Sequence, residues 1–457
     1  MGIAAGFAVY SYYSQPALLN DSRKRRKKKP RIIIIDEDDE DDEDYDDEED
    51  EEDEEDSEEK EERERKKRAA NKPPLSQIFN LTDFEYVAKQ ILPPGTWGYY
   101  STGSDDEFSL RENHYAFGRI FFRPKCLVDV QDSTTDTDDM FGKFQIPIYI
   151  TAFAGAPMAH PDAEKNLIKA AAKEKIPYMV PWQCSFPLDD FMKNETKPDQ
   201  EFFHQIHFYD GDQLKNAPEY LKKIETEIPK VKALFINVDL PVLGNREKDN
   251  KVRASLDGGA IDDLEVFSSG ETHYKPLTWD DLDRLNRSTK LPICLKGVLR
   301  KEDVLKAAQL GLAGVVISNH GGRQLDFAMP PIEILAQSSK LLKENNVDRE
   351  KFKIFIDGGI RRGSDVVKAI CLGASGVGLG RPFAYAMATY GQPGCEKVIR
   401  ILKEEMGRDM RLLGVNSVKE LNEDLVDITS LKYKGIVTSD SLYNENYMRM
   451  PGPPFKK

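Results

Sequence analysis

From residue 146 onward the sequence repeats one pattern eight times, a short apolar segment followed by an amphipathic one. The apolar segments have the length and the β-branched or aromatic content of buried strands. The eight predicted strands are Ile146–Ala154, Ile176–Trp182, Glu201–Phe208, Ala233–Asp239, Leu291–Val298, Ala313–Asn319, Phe352–Gly359 and Gly376–Pro382. Helical periodicity fits the intervening segments Asp162–Lys175, Gln213–Ile228, Lys301–Leu310, Pro331–Asn345 and Gly363–Gly373. Eight alternating units predict an α/β fold of one closed parallel barrel, the (β/α)8 or TIM barrel.

The barrel has additions before it and within it. Phe84, Val87, Ala88 and Ile91 fall on one face of a predicted helix, which belongs to an N-terminal helical cap. The mostly polar run Leu243–Lys275 follows the fourth strand, and a loop of that length at a barrel rim predicts a lid or a flexible insertion. We therefore expect one cap-and-barrel domain over residues 75–457.

The N-terminal residues differ sharply in composition from this domain. Residues 1–74 carry 26 acidic and 15 basic side chains, so the remaining body accounts for only −4 of the total net charge of −15. A self-repelling acidic segment cannot bury apolar surface, and residues 21–74 are predicted to form a disordered tether, first basic and then acidic. Within it, the mixed-charge run Glu58–Arg68 is predicted to be at most transiently helical. Residues 1–20 are apolar and predict either a membrane anchor or a disordered terminus. The acidity belongs to the tail and says little about the partner of the folded part, for which no nucleic-acid partner is predicted.

The five cysteines are scattered and form no Cys-x-x-Cys pair. Three of them, Cys184, Cys294 and Cys371, stand in apolar contexts that suit buried free thiols. The sequence therefore predicts neither a metal site nor a disulfide framework.

The sixth predicted strand ends in the motif Ser-Asn-His-Gly-Gly-Arg, at residues 318–323. A histidine at the end of a buried strand can act as a base near neutral pH, and His320 stands at such a position. Arg323 follows three residues later and can bind a carboxylate through two parallel hydrogen bonds. The alternative interpretation is a tight turn that carries a structural histidine.

The neighbouring strand ends carry further polar groups and glycines. They are Asn237 and Asp239 on the fourth strand, Lys296 on the fifth, Asp357, Gly358, Gly359 and Arg361 on the seventh, and Gly380 and Arg381 on the eighth. Glycines and arginines on the last two strands predict a phosphate pocket. An aspartate beside His320 would hold the imidazole and favour its protonated form. The alternatives are a purely structural Lys296–Asp357 ion pair, and a capping role for Asp239.

Three motifs together resemble one known family. S-N-H-G-G-R-Q-L-D, D-G-G-I-R-R-G-S-D and G-V-G-L-G-R-P are similar to motifs of the FMN-dependent α-hydroxy-acid dehydrogenase/oxidase family. F-E-Y-V-A-K-Q, R-E-N-H-Y-A-F and R-I-F-F-R-P-K extend the resemblance, which is closest to the flavocytochrome L-lactate dehydrogenases within that family. It runs from Leu75 to about Tyr447, and the chain shows no haem-binding cytochrome domain.

The resemblance implies FMN as the cofactor, with its phosphate on Gly359, Arg361, Gly380 and Arg381. It implies His320 as the base, Asp239 as its partner and Lys296 beside the flavin. Arg323 and Tyr99 would hold the substrate carboxylate. Further positions implied to line the flavin or the substrate are Ala152, Phe153, Ala154, Gln205, His207, Asn237, Arg246, Ser318, Asp357 and Gly358.

Several of these positions depart from the family's usual residues. Phe153 and Asn237 each replace a threonine, His207 replaces a tyrosine, Pro181 stands where a flavin-bonding serine is expected, and Gln183 occupies an apolar substrate-pocket position. Asn237 and His207 retain hydrogen-bonding groups, whereas Pro181 has no N–H to donate. The departures therefore bear on the substrate more than on the base.

Together, the motifs predict FMN-dependent oxidation of a lactate-like L-2-hydroxy acid to its 2-oxo acid. The alternative is a divergent FMN-binding paralogue with little or no turnover that serves as a tethered binding protein. An unrelated phosphate-binding barrel, such as an isomerase, fits the His-x-x-Arg motif and the strand-end lysine poorly. The electron acceptor is left open between oxygen, a quinone and cytochrome c. The resemblance further implies a homotetramer in mitochondria, with a cytoplasmic location as the alternative because no clear transit peptide is present.

Overall fold

The computed structural model describes residues 57–256 and 277–433. Eight parallel strands close into a barrel in chain order, with the last strand paired to the first. A separate antiparallel pair joins two short strands outside the barrel, β1 and β10. The strands are β1 Phe121–Phe122, β2 Ile148–Ile150, β3 Tyr178–Val180, β4 Phe202–Ile206, β5 Val231–Asn237, β6 Ile293–Val298, β7 Gly314–Ile317, β8 Lys353–Asp357, β9 Gly376–Leu379 and β10 Val426–Asp427.

The α-helices surround the barrel. They are α1 Ser57–Ala70, α2 Leu81–Ile91, α3 Pro94–Ser101, α4 Phe108–Tyr115, α5 Glu164–Glu174, α6 Leu188–Asn194, α7 Gly211–Glu227, α8 Glu247–Leu256, α9 Trp279–Asn286, α10 Lys301–Gln309, α11 Pro331–Glu344, α12 Gly363–Cys371 and α13 Arg381–Leu413. The TIM-barrel prediction and all five named helical segments are thus confirmed. Every predicted strand is present, though with different bounds.

The barrel interior separates an apolar layer from a polar one. Side chains two residues apart on a strand share a face, so an inward aromatic residue is followed by an inward polar residue closer to the mouth. Phe203 precedes Gln205 in this way, and Phe355 precedes Asp357. The aromatic layer is fully buried and packs edge to face, as between Phe203 and Phe355. It gives the polar side chains above it a rigid floor.

The predicted cap is present and packs on the last helix. α2 begins with a reciprocal capping box in which Asn80 and Asp83 satisfy each other's backbone N–H groups. Its apolar face, including Phe84 and Val87, is buried against α13. α3 follows after Pro93, and α4 lies close to the barrel mouth.

The structure differs from the prediction that the tether is disordered up to residue 74. α1 is helical, and Arg68 Nε donates to the carbonyl of Gln90 at 3.1 Å. Lys72 Nζ donates to the carbonyl of Thr389 at 2.5 Å, and the Tyr390 hydroxyl donates to the carbonyl of Pro73 at 2.6 Å. The mixed charges of this helix form local ion pairs, while its last residues reach partners far away in the sequence. Contacts to the body therefore begin before Leu75.

Other N-terminal predictions lie outside the described residues, among them the possible anchor at 1–20 and the acidic tract that ends near residue 56. Within the described ranges, no helix is long and apolar enough to span a membrane. The rim segment after β5 contains α8, so the predicted lid or insertion is helical in its first half. Its second half, residues 257–276, is outside the description.

Candidate active site

One cavity opens at the C-terminal mouth of the barrel and is lined by residues from most of its strand ends. Nearly all predicted site residues line it: Tyr99, Ala152, Phe153, Ala154, Gln205, His207, Asn237, Arg246, Lys296, His320, Arg323, Asp357, Gly358, Gly359, Arg361, Gly380 and Arg381. Asp239 and Ser318 lie immediately behind this lining and contact it through hydrogen bonds. The structure thus brings together all the residues that the sequence pointed to.

His320 is held by three features of the turn after β7. Its backbone is left-handed, with φ of 57°, an uncommon conformation for a residue with a side chain. Its N–H donates to Ser318 Oγ at 3.0 Å, and its Nδ1 lies 3.1 Å from Asp239 Oδ2. An ionised carboxylate only accepts hydrogen bonds. The proton therefore resides on Nδ1, and the opposite ring nitrogen, Nε2, is left to accept one.

The local electrostatics keep His320 neutral near pH 7. Burial lowers its pKa below the ordinary 6.5, and the positive charges of Lys296 and Arg246 lower it further, against the opposing effect of Asp239. Asp239 thus favours the protonated form, as expected, but burial and the two cations outweigh its effect. Burial alone would raise the pKa of Asp239, but His320 and Lys296 hold it below its usual value. A neutral imidazole beside an ionised carboxylate has the charge state of a general base.

Lys296 is buried and paired. Its Nζ lies 3.3 Å from Asp357 Oδ2, and that carboxylate also accepts from Ser318 Oγ at 2.5 Å and from Thr151 Oγ1 at 3.1 Å. Burial opposes the charged form of Lys296, but Asp357 and Asp239 raise its pKa above the ordinary value. The structural ion pair considered above is therefore formed, and the lysine still faces the cavity as a fixed positive charge.

Gly297, the residue after this lysine, is required by the close approach of Asp239. A Cβ at position 297 would lie 2.3 Å from Asp239 Cγ, and the glycine's φ is 107°. Any side chain would push away the carboxylate that orients His320. Lys296 therefore supplies the buried positive charge, and Gly297 leaves room for the carboxylate that orients His320.

Arg323 and Arg246 place two cationic groups beside the base. The Arg323 guanidinium stacks 4.9 Å over the Tyr99 ring, and its Nη1 donates to the carbonyl of Tyr99. Burial, with repulsion from Arg246, lowers the pKa of Arg323 to about 9. The buried Nε of Arg246 makes no hydrogen bond to any described residue. Two neighbouring guanidinium groups with donors to spare make this end of the cavity suitable for a carboxylate.

Another part of the cavity lining is built from glycines and a helix start. Gly358 and Gly359 have φ of 100° and 85°, and α13 begins directly after Gly380. The four N–H groups that begin a helix lack intrahelical acceptors and favour an anion. Arg361 Nη1 donates to the carbonyl of Ile360 at 3.0 Å, which leaves further N–H groups of its guanidinium.

Arg381 is engaged differently from Arg361. Its guanidinium donates to the backbone carbonyls of Tyr100, Gly321 and Thr102 at 2.8 to 2.9 Å. These bonds join the cap to the turn after β7. The side chain therefore braces the cavity wall, while its positive charge remains near the helix start.

The unusual residues also line the cavity or close it. Phe153 meets the ring of Tyr100 edge to face at 6.3 Å, and His207 meets Tyr209 in the same way at 4.5 Å. Burial lowers the pKa of His207 to about 4, so its imidazole is neutral. The buried Oδ1 of Asn237 makes no hydrogen bond to any described residue and is available to a ligand.

Pro181 directly follows β3, and the next backbone N–H has a partner of its own. Trp182 N–H donates to Gln205 Oε1 at 3.0 Å. Pro181 itself has no N–H, so the cavity receives no donor from that backbone position. Gln205 therefore connects the loop after β3 to the end of β4.

Sequence reasoning missed several residues that shape the site. Thr151 bonds Asp357, and extending the two-residue alternation of β2 beyond Tyr149 would have pointed to it. Asn113 of α4 bonds Asn319, the residue before His320. No local pattern marks such a partner, because the two residues are far apart in the sequence.

Comparison with known proteins gives concordant matches. A sequence model described as FMN-dependent dehydrogenase matches residues 88–428. The chain is 44% identical over 398 residues to an L-lactate dehydrogenase (cytochrome) of Wickerhamomyces anomalus, a match covering 85% of this chain and 68% of that protein. It is 35% identical over 365 residues to a glycolate oxidase of Spinacia oleracea, with 76% of this chain and 95% of that protein covered.

The solved structures agree with the sequence matches. The recombinant flavin-binding domain of baker's yeast flavocytochrome b2 superposes with a TM-score of 0.75 at 42% identity, covering 86% of this chain and 98% of that domain. A mandelate oxidase variant superposes with a TM-score of 0.66 at 30% identity, covering 77% of this chain and 98% of that one. On the family match, these identities and the shared barrel, the chain belongs to the FMN-dependent dehydrogenase family.

Proposed function

We propose that this FMN-dependent dehydrogenase oxidises a short L-2-hydroxy acid, such as L-lactate, to the corresponding 2-oxo acid. The observation that carries the proposal is the pairing of His320 with Asp239 in the cavity that also holds Lys296 and Arg323. A base, a carboxylate-binding arginine and a buried cation are the three groups that this oxidation needs. Matched relatives named L-lactate dehydrogenase (cytochrome) and glycolate oxidase support the assignment.

The residues present fit FMN. The flavin end offers the unpaired amide oxygen of Asn237 and the ammonium group of Lys296, with Ala152, Phe153, Ala154 and Gln205 in the same lining. The phosphate end offers Gly358, Gly359, Gly380, the Arg361 side chain and the start of α13, with Arg381 adding charge. Ser318 acts through Asp357, which holds Lys296. Polar donors at both ends and apolar walls between them suit a ligand with a planar ring and a phosphate.

The chain's own residues account for the remaining chemistry. FMN, when bound, accepts two electrons from the substrate. Arg323, with Arg246 and Tyr99 beside it, binds and orients the substrate carboxylate. Nε2 of His320 receives the proton that the substrate loses, and Asp239 stabilises the imidazolium that forms. The fixed charge of Lys296 favours the development of negative charge on its side of the cavity.

His207 and the residues near it are assigned to substrate binding and not to removal of the proton. Its neutral ring can donate one hydrogen bond and accept another. It lines the same wall of the cavity as Gln183 and Tyr209. We assign this wall to the substrate, with His207 beside its hydroxyl group.

The test is one anaerobic absorption spectrum of the purified protein. We expect a yellow protein whose flavin absorbance bleaches on addition of L-lactate or glycolate and stays unchanged with D-lactate. Should no member of a panel of small, aromatic and long-chain L-2-hydroxy acids bleach it, the alternative of a tethered FMN-binding paralogue without turnover replaces this proposal. A colourless protein that does not take up FMN would contradict both.

The acceptor, the assembly and the location remain proposals drawn from the family. Reoxidation by oxygen, by a quinone and by cytochrome c, followed in the same cuvette, identifies the acceptor. We propose a homotetramer, which mass measurement in solution tests. We also propose a mitochondrial location, which imaging of the full chain distinguishes from a cytoplasmic one and from membrane attachment through residues 1–20.

A further inference from the structure

Helix α4 of the cap lies against two loops of the barrel mouth. The backbone N–H groups of Phe108 and Ser109 donate to the Asp326 carboxylate, at 3.2 and 2.7 Å. Asp326 belongs to the loop after β7 that carries His320, so the start of α4 is fixed to that loop. The rest of the helix runs toward the loop after β8, which carries the phosphate-end glycines.

Asn113 joins α4 to the turn that presents the base. Its Nδ2 donates to Asn319 Oδ1 at 2.7 Å, and Asn319 Nδ2 donates back to Asn113 Oδ1 at 2.7 Å. Both side chains are 1% exposed. Asn319 Oδ1 also accepts from the N–H of Gly322 at 3.0 Å. The amide pair therefore holds both sides of His320, whose left-handed backbone is costly without such support.

The same residue also meets the loop after β8. A Cβ at Gly359 would lie 2.0 Å from the Asn113 carbonyl oxygen, and one at Gly358 would lie 3.2 Å from Asn113 Nδ2. His114 Nδ1–H donates to the carbonyl of Gly359 at 2.8 Å. The two glycines are therefore packed directly on the end of α4. Asn113 touches the catalytic turn with its side chain and the phosphate end with its backbone and amide.

We infer that Asn113 is a positioning residue that couples cofactor binding to the geometry of the base. It is not among the residues that line the cavity, and it acts through Asn319 on one side and through Gly358 and Gly359 on the other. When the phosphate end is filled, α4 is held more firmly, and the turn that carries His320 is held with it. The cofactor thereby helps to organise the residue that removes the substrate's proton.

The first measurement uses Asn113→Ala. Truncation leaves the buried Asn319 amide without its partner and loosens both loops. We expect the dissociation constant for FMN, titrated into protein from which FMN has been removed, to rise about tenfold, since such a change corresponds to one buried hydrogen-bonded contact. We also expect the limiting rate of flavin reduction, measured at saturating FMN and substrate, to fall about tenfold.

Two neighbours on α4 provide matched controls. His114→Ala removes the hydrogen bond to Gly359 and leaves the Asn113–Asn319 pair in place, so it should weaken FMN binding and leave the limiting reduction rate unchanged. Arg111→Ala, at an exposed position on the same helix, should change neither quantity. Asn113→Ala combined with Asn319→Ala should lower the rate no more than Asn319→Ala alone, because the two residues form one pair. If Asn113→Ala is insoluble, Asn113→Ser keeps a hydroxyl toward Asn319 and serves the same test.

The outcomes separate this inference from the proposed function. If Asn113→Ala lowers only the melting temperature, with FMN affinity and limiting rate unchanged, the residue is merely structural and the inference is overturned. Additive effects of Asn113→Ala and Asn319→Ala on the rate would also overturn it. The rate measurement rests on the proposed function, whereas FMN titration does not. A wild type that binds FMN but is not reduced by 2-hydroxy acids would therefore contradict the proposed function and leave the FMN measurement to decide on Asn113.

Discussion

The base role proposed for His320 rests on its turn, its hydrogen-bond partner and its buried surroundings. The left-handed backbone presents the ring to the cavity, and Asp239 holds the proton on Nδ1. His320→Gln keeps similar bulk and hydrogen-bonding groups but removes the titratable nitrogen. We expect flavin reduction by L-lactate in a stopped-flow instrument to slow by about 10²- to 10⁴-fold, with the FMN content unchanged. An equally fast yellow variant would contradict the assignment of His320 as the base.

The pH dependence of the reduction rate follows from the same residue. A general base must be unprotonated, so the limiting rate falls as the pH drops through the pKa of His320. Burial, Lys296 and Arg246 lower that pKa, so the fall lies at more acidic pH than the ordinary 6.5. Asp239 opposes this lowering. Asp239→Asn should therefore slow reduction and also move the acid limb further toward low pH, and a shift toward neutral pH would refute the electrostatic account.

A substitution of Arg323 tests whether this side chain binds the substrate carboxylate. Arg323→Lys keeps a positive charge but loses the planar fork and the stacking on Tyr99. We expect the Michaelis constant for L-lactate to rise and the limiting reduction rate to fall, measured with FMN saturating. The exposed Arg300→Lys, after β6, is the matched control and should leave both unchanged.

The sequence pattern predicted which polar groups stand at the strand ends, but it did not predict all of their hydrogen-bond partners. Apolar runs lead up to Asp239, Lys296 and Asp357, and His320 follows such a run after two polar residues. A barrel brings these positions to one mouth. The bonding of Arg381 to carbonyls of the cap was not predictable, because those acceptors come from irregular backbone far away in the sequence. The outcome for the pKa of His320 likewise needed its burial, which the sequence does not give.

Most of the predicted strands are longer than the strands in the structure, and the excess has a physical cause. The sixth was expected over Ala313–Asn319, yet β7 ends at Ile317. Its last two residues leave the ladder, and there Ser318 bonds Asp357 at the end of β8 and Asn319 bonds Asn113 of α4. The polar residues at these strand ends continue the sequence pattern of the strand, but they are not part of its ladder of backbone pairs with the neighbouring strands. Helix α1 was missed as packed structure because its partner, α2, comes later in the chain.

The loop after β8 and the start of α13 carry the phosphate prediction. Arg361 has guanidinium donors to spare, whereas Arg381 gives its own to three carbonyls. Arg361→Glu should therefore raise the dissociation constant for FMN strongly through direct repulsion, without loss of folded protein. Arg381→Glu should give colourless protein that is also less stable, since it loses its carbonyl contacts as well. Arg300→Glu is the control for the charge change, and fully yellow Arg361→Glu protein would refute the phosphate assignment.

For the protein as a whole, the N-terminal residues differ in how much they contribute to the stability of the folded body. The acidic residues up to 56 cannot bury apolar surface, whereas Arg68, Lys72 and Pro73 bond the body directly. Deleting residues 1–56 should therefore leave the melting temperature, FMN content and reduction rate unchanged.

Deleting residues 1–74 should lower the melting temperature by a few degrees, because roughly three such contacts of about 1 kcal/mol each are lost. Its reduction rate should stay at the wild-type value, since none of these residues lines the cavity. Equal melting temperatures for the two truncations would show that the contacts before Leu75 add no stability, and a drop already at the shorter truncation would show that the acidic tract binds the barrel.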